Sequence, residues 1–110
     1  MDVEQLEIAR RVATIVSVQN EYNIDNRSSE DVLKACELLG IAFLPWYPLG
    51  AGAALRSSKV KQLARKLKAT PAQIAIAWLL AKSPVMLPIP GTSSIQHLEE
   101  NVAAAGITLP

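Results

Sequence analysis

Val85-Met86-Leu87-Pro88-Ile89-Pro90-Gly91-Thr92-Ser93-Ser94 carries a short apolar run into a Pro/Gly/Thr/Ser turn, and His97-Leu98-Glu99-Glu100-Asn101 follows as the opening of a helix. A strand therefore delivers its C-terminal end to a helix N-terminus. Unpaired backbone N–H groups and the positive end of the helix dipole there suit an anion such as phosphate. Small hydroxyl side chains permit close approach. Ser94 serves equally as an ordinary N-cap, so the junction alone leaves a phosphate site and a structural turn both open.

Working back from this junction, Thr70-Pro71-Ala72-Gln73 starts another helix, with Thr70 as N-cap, Pro71 at the first helical position and Gln73 reaching back. Ile74, Ala77, Trp78 and Ala81 supply its apolar stripe, and Pro84 ends it. The spacing of Val60, Leu63, Ala64 and Leu67 predicts an amphipathic helix after a loop through Ser57-Ser58. Ile41-Ala42-Phe43-Leu44 reads as a strand that runs into Pro45-Trp46-Tyr47-Pro48-Leu49-Gly50, where two prolines and a glycine argue against a continuing central strand. Ser28-Ser29-Glu30-Asp31 reads as a capping box ahead of a helix presenting Val32, Cys36 and Leu39, stopped by Gly40. Ile15-Val16-Ser17-Val18-Gln19 is a β-branched run of strand length. Asp2, with Gln5 three residues on, caps a first helix carrying Leu6, Ala9 and Ala13. Beyond the quoted junction, the last helix carries Leu98, Val102 and Ala105 up to Gly106.

The predicted order is helix, strand, helix, strand, two helices, strand, helix, which requires parallel strands joined by right-handed crossovers. The strands are apolar runs rather than strict alternations, as in a sheet covered by helices. Three strands make a narrow sheet with unprotected edges, and the chain has no residues left for the fourth or fifth strand of a doubly wound fold. The class expected is α/β, a partial (β/α)8 TIM barrel, since a whole barrel takes ~250 residues and this chain has 110.

Composition narrows the function classes. Half of the residues are apolar and the net charge is +1, with basic and acidic residues interspersed, so nothing resembles a nucleic-acid footprint. The longest apolar stretch, Ile74 to Ala81, falls far short of the ~20 residues of a membrane span, and Met1-Asp2-Val3-Glu4 does not open a signal peptide. A lone Cys36 among apolar residues reads as a buried structural thiol. A cytoplasmic protein without nucleic-acid or membrane partners is expected.

Four blocks together resemble the aldo-keto reductases, (β/α)8-barrel enzymes that reduce aldehydes and ketones with a nicotinamide cofactor. They are Val18-Gln19-Asn20-Glu21-Tyr22-Asn23, then Pro45-Trp46-Tyr47-Pro48-Leu49-Gly50, then Thr70-Pro71-Ala72-Gln73 with Trp78-Leu79-Leu80, and finally Leu87-Pro88-Ile89-Pro90-Gly91-Thr92 with His97-Leu98-Glu99-Glu100-Asn101. Their order is the family's. The resemblance covers essentially the whole chain, makes its strands the sixth to eighth of the barrel, and implies that residues 1–110 are a C-terminal segment with no second domain.

The resemblance also implies a cofactor site. Gln19, at its strand's C-terminal end, would bond the nicotinamide carboxamide, for which an amide has both donor and acceptor. Trp46 would stack on the nicotinamide ring and leave one face open for hydride transfer. Tyr47, Leu49 and Gly50 would cover the pyrophosphate; Gly50-Ala51-Gly52 by itself lacks the Lys and Ser/Thr of a P-loop. Ile89, Gly91 and Thr92 match the strand end and turn that hold the adenosine phosphate, with His97 beside them. Glu100 and Asn101 match adenine contacts, although such residues also serve as a solvated helix face. Many relatives carry Lys or Arg in place of Gly91 and Arg in place of His97. This chain therefore offers a 2′-phosphate less positive charge, and an unperturbed imidazole is mostly neutral at pH 7. The cofactor implied is NADP(H) ahead of NAD(H), without a metal.

The family's catalytic Asp, Tyr, Lys and His lie on the first four strands, which have no counterpart here. Tyr22, Tyr47, Asp25, Lys59 and His97 have the right chemical types, but none matches a catalytic position. The expectation is the cofactor-binding portion of an NAD(P)H-dependent carbonyl reductase, inactive as an isolated chain and meeting a carbonyl substrate only when the rest of the barrel is present. The alternatives are a non-catalytic dinucleotide-binding half-barrel that oligomerises, and an inactive remnant.

Overall fold

The computed structural model describes residues 1–50 and 52–110; Ala51, between the two glycines of the loop noted above, lies outside them. The elements are α1 (Val3–Val12), β1 (Ser17–Glu21), α2 (Glu30–Leu39), β2 (Ala42–Trp46), α3 (Ala53–Arg56), α4 (Ser58–Leu67), α5 (Pro71–Lys82) and α6 (Ile95–Ala103), closed by a single 3-10 turn at Ala104–Gly106. The short α3 lies in a segment read from the sequence as loop.

Local signals set most helix ends. Asp2 Oδ1 accepts from the Gln5 N–H at 2.7 Å while Gln5 Oε1 accepts from the Asp2 N–H at 2.9 Å, and Thr70 and Gln73 exchange the same pair at 3.1 and 2.9 Å. Gly40 closes α2 in the left-handed conformation, φ 69°, which costs glycine nothing. The capping box expected at Ser28–Asp31 does not form. Ser29 occupies the N-cap position without a side-chain cap bond, and its Oγ instead accepts from Asn20 Nδ2 at 3.3 Å. Ser28 Oγ is drawn to Asn26 Oδ1 at 2.8 Å. Nearby asparagines outcompete the helix for both hydroxyls.

β1 and β2 are parallel, in the register Ser17↔Ala42 through Glu21↔Trp46. β1 begins two residues later than the β-branched run suggests; Val16 only offers its carbonyl to the Ala42 N–H at 3.1 Å. β2 runs on through Pro45 to Trp46, farther than two prolines seemed to allow. Alternation of the backbone explains why. The Ala42 amide points toward β1, whereas Phe43 points the other way, donating to Val85 O at 2.9 Å and accepting from Leu87 N at 2.8 Å. Pro45 shares Phe43's parity, so its missing N–H leaves the β1 ladder intact and removes the next bond to the third segment. The third parallel strand is accordingly reduced to one bridge, Phe43↔Met86.

Pairs in parallel register share a face. Val18, Phe43, Asn20 and Pro45 face the helices and are buried, whereas Gln19, Leu44 and Trp46 occupy the opposite, open face. The main core joins Leu6, Val18, Tyr22, Leu33, Phe43 and Leu79 with their neighbours, and a smaller core joins Val60, Ala64 and Ile74 with Ile107 and Leu109. Cys36 is fully buried, and burial pushes its thiol pKa up, which makes it an inert packing group.

Several expected stripes shift. Ala13 and Leu39 are exposed, and α5 buries Ala75, Ile76 and Leu79 beside Ile74 and Ala77, leaving Trp78 half-buried and Ala81 exposed. Most consequentially, the face of α6 is not buried: Leu98 and Val102 are 52% and 68% exposed, because none of the described elements covers it. α6 is held to α5 by Gln73 Nε2, which donates to Glu100 O at 2.9 Å, and by the following turn, where Ala104 is buried.

A polar chain leads from the main core to the surface. The Tyr22 hydroxyl donates to Glu30 Oε2 at 2.6 Å, and Lys82 Nζ lies 2.9 Å from Glu30 Oε1. The Tyr22 bond, then the bond and charge from Lys82, hold the Glu30 carboxyl below its usual range against the opposing effect of burial. Burial, reinforced by Glu30, pushes the Tyr22 phenol above its ordinary value. A depressed carboxylate contributes stability that is complete above its unfolded pKa, about 4.3, and is lost as pH falls through the folded value. We therefore expect the urea midpoint to hold from pH 7 to about 5 and to fall below that range. Tyr22→Phe is expected to flatten the acid limb; an unchanged limb would show that the Tyr22–Glu30 bond does not set it.

Candidate functional site

Gln19 and Trp46 lie on the same open sheet face, Gln19 opposite Leu44 and Trp46 opposite Glu21; Trp46 ends β2, whereas Gln19 is in the middle of β1 rather than at the strand end expected, because β1 runs on to Glu21. Trp46 is 44% exposed, so one side of its indole is accessible to a flat ring. The chain then reverses sharply. Tyr47 adopts φ 55° and Gly50 φ 62°, and the Gly50 N–H donates to Tyr47 O at 3.0 Å.

One buried side chain, Asn23, shapes this reversal. Asn23 Oδ1 accepts from the N–H groups of Asp25 and Asn26, both at 2.9 Å, and Asn23 Nδ2 donates to Tyr47 O at 2.9 Å. The loop after β1 is thereby pinned to the loop after β2. Gly50 packs against the same asparagine, since a Cβ there would stand 3.0 Å from Asp25 Oδ2 and 3.1 Å from Asn23 Oδ1. Space and backbone conformation both call for glycine. The only available signal for Asn23 was its place after the strand in the Val18–Asn23 block.

Leu49, Gly91, Thr92, His97, Glu100 and Asn101 come together around one pocket of about 440 Å³. Thr70, Pro71, Ala72 and Leu55 complete its wall and were not among the candidates; the Thr70 signal was read only as a helix start. Gln19, Trp46, Tyr47 and Gly50 do not line this pocket; Gln19 and Trp46 belong to β1 and β2, and Tyr47 and Gly50 to the turn after β2. Ile89 lines a different, open groove of about 550 Å³ with Leu98 and Val102, where Asn101 is the shared wall.

The quoted strand-to-helix junction forms as a hydroxyl-lined turn. Thr92 Oγ1 accepts from the Ser94 N–H at 3.1 Å and donates to Ser94 O at 3.3 Å, and Ser94 Oγ accepts from the His97 N–H at 3.2 Å. Ser94 is therefore a true N-cap of α6. The cap leaves the first-turn N–H groups of Ile95 and Gln96 without a protein partner among the described residues, available to an anion or to water. A Cβ at Gly91 would meet nothing within 4 Å, so its approach side is open. The pocket holds one carboxylate, Glu100, and its only side chain able to become cationic is His97. Thr92 is also a wall of a smaller neighbouring pocket of about 220 Å³ lined by Ser94 and Ile95, and the apolar walls with hydroxyl, amide and carboxylate groups fit the adenosine end of a dinucleotide. No three His, Cys, Asp or Glu residues cluster as a metal site among the described residues, and no described helix is long and apolar enough to cross a membrane.

Comparison with known proteins agrees along the whole chain. The profile of the aldo/keto reductase family matches residues 1–110. An uncharacterized oxidoreductase of Schizosaccharomyces pombe is 51% identical over 108 residues, covering 97% of this chain and 35% of the relative. Pyridoxine 4-dehydrogenase of Escherichia coli is 50% identical over 105 residues, covering 96% of this chain and 37% of the enzyme. The crystal structure of an aldo-keto reductase from Klebsiella pneumoniae in complex with NADPH superposes with a TM-score of 0.91 at 28% identity, covering all of this chain and 42% of that one. The chain thus spans little more than a third of the curated relatives it matches. Its parallel strands and flanking helices form part of the barrel seen in the solved neighbours, and the chain belongs to the aldo/keto reductase family.

Proposed function

We propose that this chain is the C-terminal, cofactor-holding segment of an NAD(P)H-dependent carbonyl reductase. The observation that carries the reading is the convergence of Leu49, Gly91, Thr92, His97, Glu100 and Asn101 on one pocket, which shares Thr92 with a smaller pocket lined by Ser94 and Ile95 at the start of α6. Support comes from the NADPH held by the Klebsiella relative and from the dehydrogenase activity in the name of the Escherichia coli one.

When bound, the nicotinamide supplies a hydride to a carbonyl carbon. The residues of this chain bind and orient. The Gln19 amide offers a donor and an acceptor to a carboxamide, and the Trp46 indole covers one ring face. The Tyr47–Gly50 turn, pinned by Asn23, closes over the pyrophosphate. Gly91 and Thr92, with the amides of Ile95 and Gln96, hold the adenosine phosphate, and Glu100 and Asn101 meet the adenine. NADP(H) is the cofactor proposed first, after the NADPH and NADP of the solved relatives. The proton donor for the carbonyl oxygen is not among these residues, so we propose that the isolated 110 residues bind cofactor without turnover, and that the protein works in the cytoplasm.

The test is a titration of intrinsic fluorescence with NADPH and separately with NADH, together with a carbonyl-reduction assay. Saturable quenching that disappears in Trp46→Ala, without NADPH oxidation by a simple aldehyde, is the expected result. Absence of saturation with both dinucleotides would overturn cofactor binding by the isolated chain, and aldehyde-dependent NADPH oxidation would overturn its inactivity.

A further inference from the structure

Beyond the dinucleotide pocket, the smaller core leaves a second cavity of about 470 Å³ whose lining shares no residue with it. Its floor is aliphatic, formed by Val60, Leu63 and Ile74. Its rim is charged. Arg27 and Lys59 stand there as two cations against the single carboxylate of Asp25. That carboxylate is drawn toward the next loop, with Oδ2 3.0 Å from where a Gly50 Cβ would stand. Arg27 is held in place by stacking 4.7 Å over the Trp78 ring, and Trp78 also lines the cavity. The volume lies within the range of small-molecule pockets, whose pattern is an apolar body with a few polar groups that fix orientation.

We propose that this cavity is a binding site for a small amphiphile with an anionic head, its aliphatic or aryl body on the Val60–Leu63–Ile74 floor and its head between Arg27 and Lys59. The excess of cations at the rim selects the head, and the floor selects the body. The site is independent of the cofactor reading, because neither its walls nor its charges belong to the dinucleotide pocket.

The chain's two tryptophans permit a clean test. In a Trp46→Phe background Trp78 alone reports, and octanoate is the probe, with octan-1-ol as its uncharged counterpart. Saturable change with octanoate, at least tenfold tighter than with octanol and weakened by added salt, is the expected result. Lys59→Gln and Arg27→Gln are each expected to weaken octanoate by about fivefold, the effect of a partly exposed charge pair. Because the Arg27 change also removes a group stacked on Trp78, Lys59→Gln, on an exposed first-turn position of α4, is the decisive variant. No saturation, equal affinity for octanol, or an unchanged affinity in Lys59→Gln would overturn the proposal. A doubled mass in light scattering whose dissociation is required for octanoate to bind would assign the cavity to a second copy and equally overturn it.

Discussion

Phe43→Ala is expected to lower folding stability by about 3–5 kcal/mol, a large share of the 5–15 kcal/mol available to a domain. Phe43 is completely buried at the centre of the main core, with its ring edge-on to Tyr22 at 5.9 Å and 85°. Truncation removes the transfer free energy of the ring and leaves a cavity that the flanking helices cannot collapse into without moving Tyr22 off Trp78, on which it stacks at 6.0 Å. The same residue's backbone makes both hydrogen bonds that hold the third segment. Loss of side-chain packing is therefore expected to loosen Val85–Leu87 as well. Phe43→Leu retains much of the volume and is expected to cost far less. Urea denaturation of the two variants measures the difference, and a Phe43→Ala unfolding free energy within about 1 kcal/mol of the parent would place the core elsewhere.

What could be read in the sequence was what is decided within a few residues. The Asp2–Gln5 and Thr70–Gln73 boxes and the Gly40 stop need only their own turn, and each forms as expected. Ser28 and Ser29 carried the same kind of signal, yet Asn20 and Asn26 take their hydroxyls, a competition set by how the chain folds back. Pro45 is more instructive. The sequence shows that an N–H is missing but not toward which neighbour it would have pointed, and that direction decides that the β1 ladder survives while the third strand shrinks to a bridge. For the site, the local junction at Gly91–Ser94 was legible, and the family blocks supplied Leu49, Glu100 and Asn101. That Thr70, Pro71 and Ala72 wall the same pocket was not legible, because only the packing of α5 against α6, through Gln73 and Glu100, brings the two helix starts together. Periodicity correctly marked Leu98 and Val102 as an apolar face; it carries no information on whether a partner is present to cover it.

Asn23→Ala is expected to cost about 2–4 kcal/mol and to disorder the site more than any exposed substitution, since each buried group left unpaired costs about 1–3 kcal/mol. Asn23 is 1% exposed, and its side chain serves three backbone groups: the N–H groups of Asp25 and Asn26 and the carbonyl of Tyr47. Truncation strands them together, although the Asn26 amide keeps a second bond to Asn23 O at 3.2 Å, which holds the total below the sum of three losses. Asn23→Asp separates the two functions of the side chain. Its carboxylate still accepts from both amides and preserves the β1 loop, but it has no N–H for Tyr47 O and sets an anionic oxygen against that carbonyl. The Tyr47–Gly50 turn is then released while the core stays packed. On the proposed reading, thermal melting should show Asn23→Asp nearer to the parent than Asn23→Ala, whereas NADPH titration should show both binding at least tenfold more weakly. Binding that follows stability in both variants would mean that Asn23 acts through the fold alone. Weakened binding in a chain that still melts cooperatively would show that the tie between the two strand-end loops holds the turn over the cofactor.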